Sequence, residues 1–181
     1  MLRTALAVLL LTTCPVLAQE GPSTITADWN GDGWEDSANF TQMADADFVG
    51  MEIYLSDDQG NLSLAVSTPY AAWSGQMYGT KPWFELNERG SLRIVSGNDA
   101  IGRGRWNQVV TVAYRDGQFN VIGITRSEWD TLAPDFGHAC DLNLATRKGV
   151  VNGEAVRAPA FIPLPDWNFE TSVPDQCFSE Q

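Results

Sequence analysis

The sequence contains a single histidine, His138, and only 11 lysine and arginine residues against 23 aspartate and glutamate residues. One histidine is too few for histidine-based zinc sites, and it leaves acid–base chemistry to carboxylates. The formal net charge of −12 repels phosphate backbones and anionic lipid surfaces. We therefore expect no nucleic-acid partner, and an acidic surface suited to cations and basic proteins.

Long hydrophobic runs are absent, so no segment reaches the roughly 20 apolar residues that a membrane-spanning helix needs. Instead, Arg3, a short apolar run over residues 4–11 and Val16-Leu17-Ala18 follow one another. This order of positive charge, apolar stretch and small residues predicts a secretory signal peptide over residues 1–18. We expect a periplasmic or secreted protein whose mature chain, residues 19–181, forms one domain without a transmembrane segment.

Cysteine is scarce, with three residues in the chain. Cys14 follows an apolar run, which leaves a lipoprotein anchored there as an alternative, although Thr13 is a poor fit for the small residue expected before a lipidated cysteine. Cys140 and Cys177 stay in the mature chain, and such a pair in an oxidising compartment is most simply one disulfide. That bond would pin the C-terminal tail. Two free thiols are the alternative.

Helical periodicity is almost absent, because no long segment carries apolar residues at positions i, i+3, i+4 and i+7. Short β-rich runs broken by Gly, Asn and Asp predict strands instead. The runs pair into hairpins around the turns 56–60, 115–117 and 145–149, and residues 91–95 predict a further strand. We expect an all-β fold with little helix: an antiparallel sandwich, a barrel or a curved sheet of about seven to eight strands.

Two segments depart from this strand pattern. Residues 158–178 contain four prolines and predict an extended, irregular C-terminal tail. Ser127-Glu128-Trp129-Asp130 is the one segment where we expect a helical turn.

The most specific pattern is the nine-residue loop Asp28-Trp29-Asn30-Gly31-Asp32-Gly33-Trp34-Glu35-Asp36. Calcium takes six to eight oxygen ligands, and a tight loop presents them at alternating positions. Oxygen-bearing groups occupy positions 1, 3, 5, 7 and 9, the seventh being a backbone carbonyl and the ninth acting directly or through water. Gly33, at position 6, permits the sharp bend. The predicted Ca²⁺ ligands are Asp28, Asn30, Asp32, Trp34 and Asp36.

The loop is not part of an EF-hand, which needs a glutamate at position 12 and flanking helices. Position 12 is Asn39, in a segment that is a poor helix former. The loop, followed by Ile53-Tyr54-Leu55 and Gly60-Asn61-Leu62, resembles one unit of the FG-GAP/VCBS-type repeats over about residues 26–66. In those repeats a calcium loop joins two strands of a blade in secreted and surface proteins. The resemblance implies the same five ligands, although such repeats come in series and this chain has one.

Calcium in this loop is expected to act as a structural staple. Exported compartments hold enough calcium to keep weak sites occupied. Occupancy at a hundredfold excess over the dissociation constant stabilises a fold by about 2.7 kcal/mol. A metal-free turn rich in Asp and Asn, and a calcium-sensing loop, are the alternatives.

Three other features have both a functional and a structural interpretation. The seven tryptophans could form a sugar-stacking platform or pack in the core, and we expect Trp29 and Trp34 to point outward from their loop. The basic segment Gly102-Arg103-Gly104-Arg105-Trp106 could clasp an anion or form salt bridges. His138, near Cys140, could form a Cys–His dyad, although a disulfide beside a surface histidine is simpler.

No nucleophile elbow, zinc-protease helix or phosphate-binding loop occurs in the sequence. We therefore expect a non-enzymatic, exported, calcium-binding β domain that is a monomer and acts by binding. The partner would be another protein, for example a basic secreted one, or a polysaccharide, in which case the chain is a carbohydrate-binding module. A carboxylate-dependent hydrolase is the third alternative.

Overall fold

The computed structural model describes residues 21–42, 47–77 and 79–179. The predicted signal peptide, residues 1–18, and Cys14 lie outside the described residues. Within these ranges, no helix is long and apolar enough to cross a membrane.

The regular secondary structure of the described residues is strands and two short 3-10 turns, which confirms the all-β prediction. It has more strands than the predicted seven or eight, because strands of four residues are too short to show a clear alternation. The strands are β1 (Thr24–Ala27), β2 (Asp36–Gln42), β3 (Phe48–Ser56), β4 (Leu62–Trp73), β5 (Trp83–Leu86), β6 (Leu92–Asn98), β7 (Gly104–Arg115), β8 (Gln118–Asp130), β9 (Ala133–Asn143), β10 (Lys148–Val151), β11 (Glu154–Arg157) and β12 (Ile162–Pro163). The 3-10 turns are Leu164–Asp166 and Asp175–Cys177.

The strands form two antiparallel sheets. The small sheet has the order β1-β2-β3-β4, and the large sheet has the order β11-β10-β9-β8-β7-β6-β5, with β12 paired to β8. Neighbours in each sheet are mostly neighbours in sequence, as short hairpin connections require.

The two sheets share one hydrophobic core, which fits the sandwich or the curved sheet among the three expected arrangements. Ala38, Met51 and Ile53 enter the core from the small sheet. Phe40 of the small sheet and Phe84 of the large sheet stack across the interface with ring centroids 3.9 Å apart. The apolar residues that alternate along the strands therefore form one buried layer between the two sheets.

The predicted hairpins β3–β4, β7–β8 and β9–β10 are confirmed. At the β7–β8 turn, Asp116 and Gly117 have φ values of 53° and 81°, the positive values that a type I′ turn requires. The expected helical turn at residues 127–130 is wrong, because these residues lie in β8 and pair with both β7 and β9. Pairing on both sides satisfies their backbone groups in the extended form, which outweighs a weak local preference.

The tail after β11 is irregular, as predicted, and it is fixed to both sheets. The Cys140–Cys177 disulfide forms and attaches the tail to β9. Trp167 is buried, and its Nε1 donates to the carbonyl of Ala71 in β4 at 3.0 Å. The tail thus runs from the small sheet back to the large one.

The two ends of the sandwich are distinguished by their aromatic contacts. At the end that we call the loop end, Trp29 packs edge-on against Phe119, with ring centroids 6.1 Å apart. At the opposite end, Trp73 and Trp106 meet with ring centroids 5.3 Å apart. Strand β7, with 12 residues, connects the ends and separates them by roughly 35 Å.

Candidate metal centre

Asp28 organises the predicted calcium loop. Its Oδ1 accepts the backbone N–H groups of Gly31 and Asp32 at 2.7 and 3.2 Å, and its Oδ2 accepts that of Gly33 at 2.9 Å. Gly31 and Gly33 have φ values of 78° and 94°, a left-handed conformation in which a Cβ is unfavourable. The chain therefore bends around the Asp28 carboxylate, as the position of Gly33 predicts.

Asn30 and Asp32 lie in the same turn and bond to each other. Asn30 Nδ2 donates to Asp32 Oδ2 at 2.7 Å, and Asn30 Oδ1 accepts the Asp32 N–H at 3.0 Å. Asp32 Oδ1 also accepts the N–H of Trp34 at 2.9 Å. Asp28 and Asp32 are exposed, and each of their carboxylate oxygens accepts a hydrogen bond from within the loop.

Asp36 is placed differently from the other predicted ligands, because it is fully buried. Its Oδ2 accepts the N–H of Trp29 at 2.8 Å, and its Oδ1 accepts the N–H of Ser56 at 3.0 Å. Ser56 also donates its hydroxyl to the carbonyl of Glu35. The carboxylate therefore connects the two ends of the loop to β3, which is a structural role that the sequence pattern does not indicate.

The two tryptophans of the loop do not both point outward. Trp34 is 46% exposed, as expected. Trp29 is half-buried and packs against the core beside Phe119. The expectation is therefore wrong for Trp29, because the loop folds back onto the β7–β8 hairpin of the large sheet.

Three of the five predicted ligands suit a calcium site well. Asp28, Asn30 and Asp32 present hard oxygen atoms within one turn of the loop, which is the chemistry that calcium prefers. No group of three or more His, Cys, Asp or Glu side chains in the described residues is arranged to hold a metal ion. The three aspartates of the predicted set do not form such a group, and Asp36 is buried whereas Asp28 and Asp32 are exposed. Asp36 fits less well because it is fully buried. Ligation by the five residues stays a prediction.

A buried ion pair lies at the opposite end of the sandwich. Arg126 donates through Nε and Nη2 to Oε1 of Glu128, both at 2.8 Å, and through Nη1 to Oε1 of Gln108 at 3.1 Å. The rings of Trp106 and Phe178 cover its guanidinium, with each centroid 4.6 Å from Cζ, a distance typical of cation–π contacts. Sequence analysis missed this cluster because β7, β8 and the tail contribute to it.

The pKa of Glu128 is lowered from its ordinary value. Burial alone would raise this pKa, but the hydrogen bonds from Ser179 and the ion pair with Arg126 together lower it. Ser179 donates its N–H and its hydroxyl to Oε2 at 3.1 and 2.7 Å. The carboxylate is therefore ionised at neutral pH and unsuited to act as a general acid.

Glu128→Gln is expected to reduce stability at neutral pH and to flatten the acid-unfolding profile. The pKa of Glu128 in the folded protein lies below the unfolded value of about 4.3. Its stabilising effect is therefore complete above that pH and is lost as the pH falls through the folded-state pKa. Urea midpoints measured from about pH 6 to about pH 2.5 should show the gap to wild type narrowing. Glu170→Gln, at an exposed site in the C-terminal tail, should give a small, constant difference. A constant large gap for Glu128→Gln would contradict the prediction.

The other candidate clusters have structural roles. Arg103 of the basic segment forms a salt bridge with Asp130 at 2.7 Å. Because Cys140 is in the disulfide, it has no free thiol, and a Cys–His dyad is excluded. His138 instead lies with Nε2 at 3.0 Å from the carbonyl oxygen of Gln176.

The charges are segregated between the two sheets, because the described basic residues lie in the large sheet and its loops while acidic residues occur in both sheets. The net charge does not reveal this distribution. No lysine or arginine occurs between Arg3 and Lys81, so the small sheet and its loops contain none. The three salt bridges found among the described residues all lie in the large sheet or its loops. The described acidic residues of the small sheet and its loops are Asp28, Asp32, Glu35, Asp36, Asp47, Glu52, Asp57 and Asp58.

Comparisons with protein-family models, with curated proteins and with solved structures give no match. The likeness of residues 26–66 to an FG-GAP/VCBS-type unit therefore rests on the motif alone and stays a prediction. The loop geometry and the charge segregation are the observations from which a function can be proposed.

Proposed function

We propose that the chain is an exported, calcium-stabilised domain that acts by binding a cationic protein and performs no catalysis. The observation that carries the proposal is the charge segregation, which leaves the small sheet acidic with no lysine or arginine to neutralise it. Charge of one sign on one surface attracts and orients partners of the opposite sign.

Calcium would serve this domain as a staple at the loop end. The loop joins β1 to β2 of the small sheet. Its residue Trp29 packs against Phe119 of the large sheet. A cation on Asp28, Asn30 and Asp32 would offset the repulsion between the carboxylates. A cation that stabilises the loop would therefore also stabilise the contact between the two sheets.

The Cys140–Cys177 disulfide supports a place outside the reducing cytosol. The predicted signal peptide over residues 1–18 points in the same direction. An oxidising compartment is also one in which extracellular or periplasmic calcium would reach the loop.

A carbohydrate platform is less well supported than a protein partner. The most exposed tryptophans of the described residues are Trp34 and Trp129. Trp34 lies at the loop end, whereas Trp129 pairs with Arg105 at the opposite end of β7. Two rings separated by roughly the length of β7, about 35 Å, do not form one stacking surface.

A carboxylate-dependent hydrolase is also less well supported. Such an enzyme needs one carboxyl group that stays protonated near neutral pH to act as the acid. Glu128, the carboxylate of the buried cluster, has a lowered pKa instead. Its oxygens are already engaged by Arg126 and Ser179.

Binding to immobilised poly-L-lysine, with poly-L-glutamate as the reference, tests the proposal. We expect binding to poly-L-lysine that weakens steeply between low salt and physiological salt, because the Debye length shortens to about 8 Å. The triple variant Glu52→Gln, Asp57→Asn and Asp58→Asn should weaken binding by about tenfold or more.

A control variant with the same change in net charge shows whether binding depends on the surface of the small sheet or on the overall negative charge of the protein. It carries Glu88→Gln, Glu154→Gln and Glu170→Gln, at three exposed positions outside the small sheet. We expect its affinity to stay within about twofold of wild type. Equal losses in the two triple variants, or no binding to poly-L-lysine at all, would overturn the proposed function.

A further inference from the structure

Strand β4 forms an edge of the small sheet, and only its second half is covered in the sense that the tail hydrogen-bonds to it. The tail covers Thr68 and Tyr70, because the Thr68 hydroxyl donates to the carbonyl of Trp167 at 2.9 Å and the N–H of Phe169 donates to the carbonyl of Tyr70 at 2.9 Å. In the first half, residues 62–67, no strand of the described residues pairs with the outer side. This half of β4 therefore presents unpaired backbone donors and acceptors.

The uncovered half of β4 has the composition of a strand that accepts another strand. Its sequence, Leu-Ser-Leu-Ala-Val-Ser, contains neither charge nor proline, the two features that commonly block edge pairing. Leu62 and Leu64 are 53% and 55% exposed. Leu64 lies opposite Tyr54 on the solvent face of the small sheet. An added strand would cover this apolar surface.

A cavity of about 140 Å³ opens beside the same half of the strand. Ala65 and Val66 of β4 form one wall. Tyr114 and Phe119 of the β7–β8 hairpin and Pro163 and Pro165 of the tail contribute to the other walls. Its volume is close to the roughly 150 Å³ of an apolar cavity that accepts a benzene ring. The cavity is therefore large enough for one apolar side chain of a strand laid along β4.

Acidic residues border this edge. Asp57 and Asp58 lie in the turn that leads into β4, and Glu52 lies opposite Ser67. Asp116 precedes Gly117, and Asp166 follows Pro165, two residues that line the cavity. Arg115 is a cation on the same hairpin as Asp116. The acidic residues near the edge outnumber this arginine. They would therefore attract the lysine and arginine side chains of a segment bound at the edge.

We propose that residues 62–66 of β4 are a docking edge for an extended, lysine- or arginine-bearing segment of a partner protein. The segment adds to the small sheet as a further strand, places one apolar side chain in the cavity and directs its basic side chains towards the bordering acids. Backbone pairing gives affinity and the cavity gives specificity in this mode of recognition. This inference rests on the proposed function, to which it adds the place and the form of the partner.

A second copy of the chain is a poorer occupant of this edge. Two copies would bring two acidic surfaces together, and like charges facing each other cost several kcal/mol. The register of β3 and β4 also shifts at Ala65, and such a bulge bends the strand. A short, flexible segment follows a bent edge more easily than a second rigid sheet does.

The test uses a capped peptide of alternating lysine and valine with the full mature protein. Ala65→Lys places a positive charge at the edge and at the mouth of the cavity. Ala155→Lys is the matched control, because Ala155 is also an exposed alanine in an edge strand, β11 of the large sheet. We expect Ala65→Lys to weaken binding of the peptide by about tenfold or more, and Ala155→Lys by less than about twofold. Equal thermal melting curves verify that both variants fold.

Amide hydrogen exchange locates the bound peptide. We expect added protection at residues 62–66, and no binding of a glutamate–valine peptide. A lysine–glycine peptide, which has the same charge but a poor strand former at the alternate positions, should bind at least about tenfold more weakly.

The outcomes separate the docking edge from the proposed function. If Ala65→Lys and Ala155→Lys weaken binding equally, or if protection appears away from residues 62–66, the docking edge is wrong while cationic binding stands. If sedimentation shows a dimer that Ala65→Lys dissociates, the occupant is a second copy and the inference is overturned. If neither the peptide nor poly-L-lysine binds, the inference and the proposed function both fail.

Discussion

Asp36→Ala is expected to lower the free energy of unfolding by about 3 kcal/mol both with and without calcium. The buried carboxylate accepts hydrogen bonds from the N–H groups of Trp29 and Ser56. A hydrogen bond to a charged group contributes about 1.5–3 kcal/mol, and removing the acceptor leaves both donors without a partner. Urea unfolding in excess calcium and in excess EGTA measures the effect.

Asp32→Ala is the matched comparison, since Asp32 is an exposed aspartate of the same loop. If Asp32 binds calcium, EGTA should lower the melting temperature of wild type by about 5–10 °C, because the lost binding energy is about 2.7 kcal/mol at a hundredfold excess. Asp32→Ala should lie slightly below wild type in EGTA, because it loses two exposed hydrogen bonds of the loop, and further below it in calcium. An unchanged wild-type melting curve in EGTA would refute the calcium site and leave the Asp36 result unaffected.

The same pair of variants decides the role of Asp36. If Asp36 were chiefly a calcium ligand, the cost of Asp36→Ala would disappear in EGTA. If it connects the loop to β3, as its contacts indicate, the cost stays the same in both conditions. Asp36→Asn should recover little, because its amide nitrogen would face one of the two backbone donors.

Replacing both Cys140 and Cys177 by alanine is expected to lower the free energy of unfolding by about 4 kcal/mol. The bond joins residues 37 positions apart, and the loss of that cross-link restores the corresponding chain entropy to the unfolded state. Thermal unfolding of the variant, and of wild type in reductant, measures the change. Because both treatments remove the same cross-link, they should give similar melting temperatures.

The disulfide variant should also loosen the end of the tail. Phe178 covers Arg126, and Ser179 bonds to Glu128, directly after Cys177. Amide exchange at residues 177–179 should therefore rise more than at Trp167, which is buried and bonded to Ala71. Ser179→Ala is the control, because it removes the hydroxyl bond to Glu128 and keeps the cross-link. A full-size loss of stability in Ser179→Ala would mean that the hydrogen bond, and not the disulfide, holds the tail.

Local chemistry made parts of the fold predictable from sequence. Gly33 and the Asp116-Gly117 pair adopt positive φ values, which few other residues tolerate. Alternating apolar residues on either side of such turns define hairpins without any knowledge of the tertiary fold. The prediction failed at residues 127–130, because two neighbouring strands determine the conformation there.

For the candidate site too, the sequence predicted only the features that depend on local chemistry. The sequence by itself determined the all-β class, the main hairpins, the spacing of oxygen groups in the loop and the pairing of Cys140 with Cys177, because each depends on local spacing or on a small count of residues. Only the tertiary structure decided that Asp36 is buried against Ser56, that Trp29 packs on Phe119 and that half of β4 is left uncovered. These features join residues distant in sequence, and no local pattern carries the information about which distant backbone or side chain will lie next to a given residue.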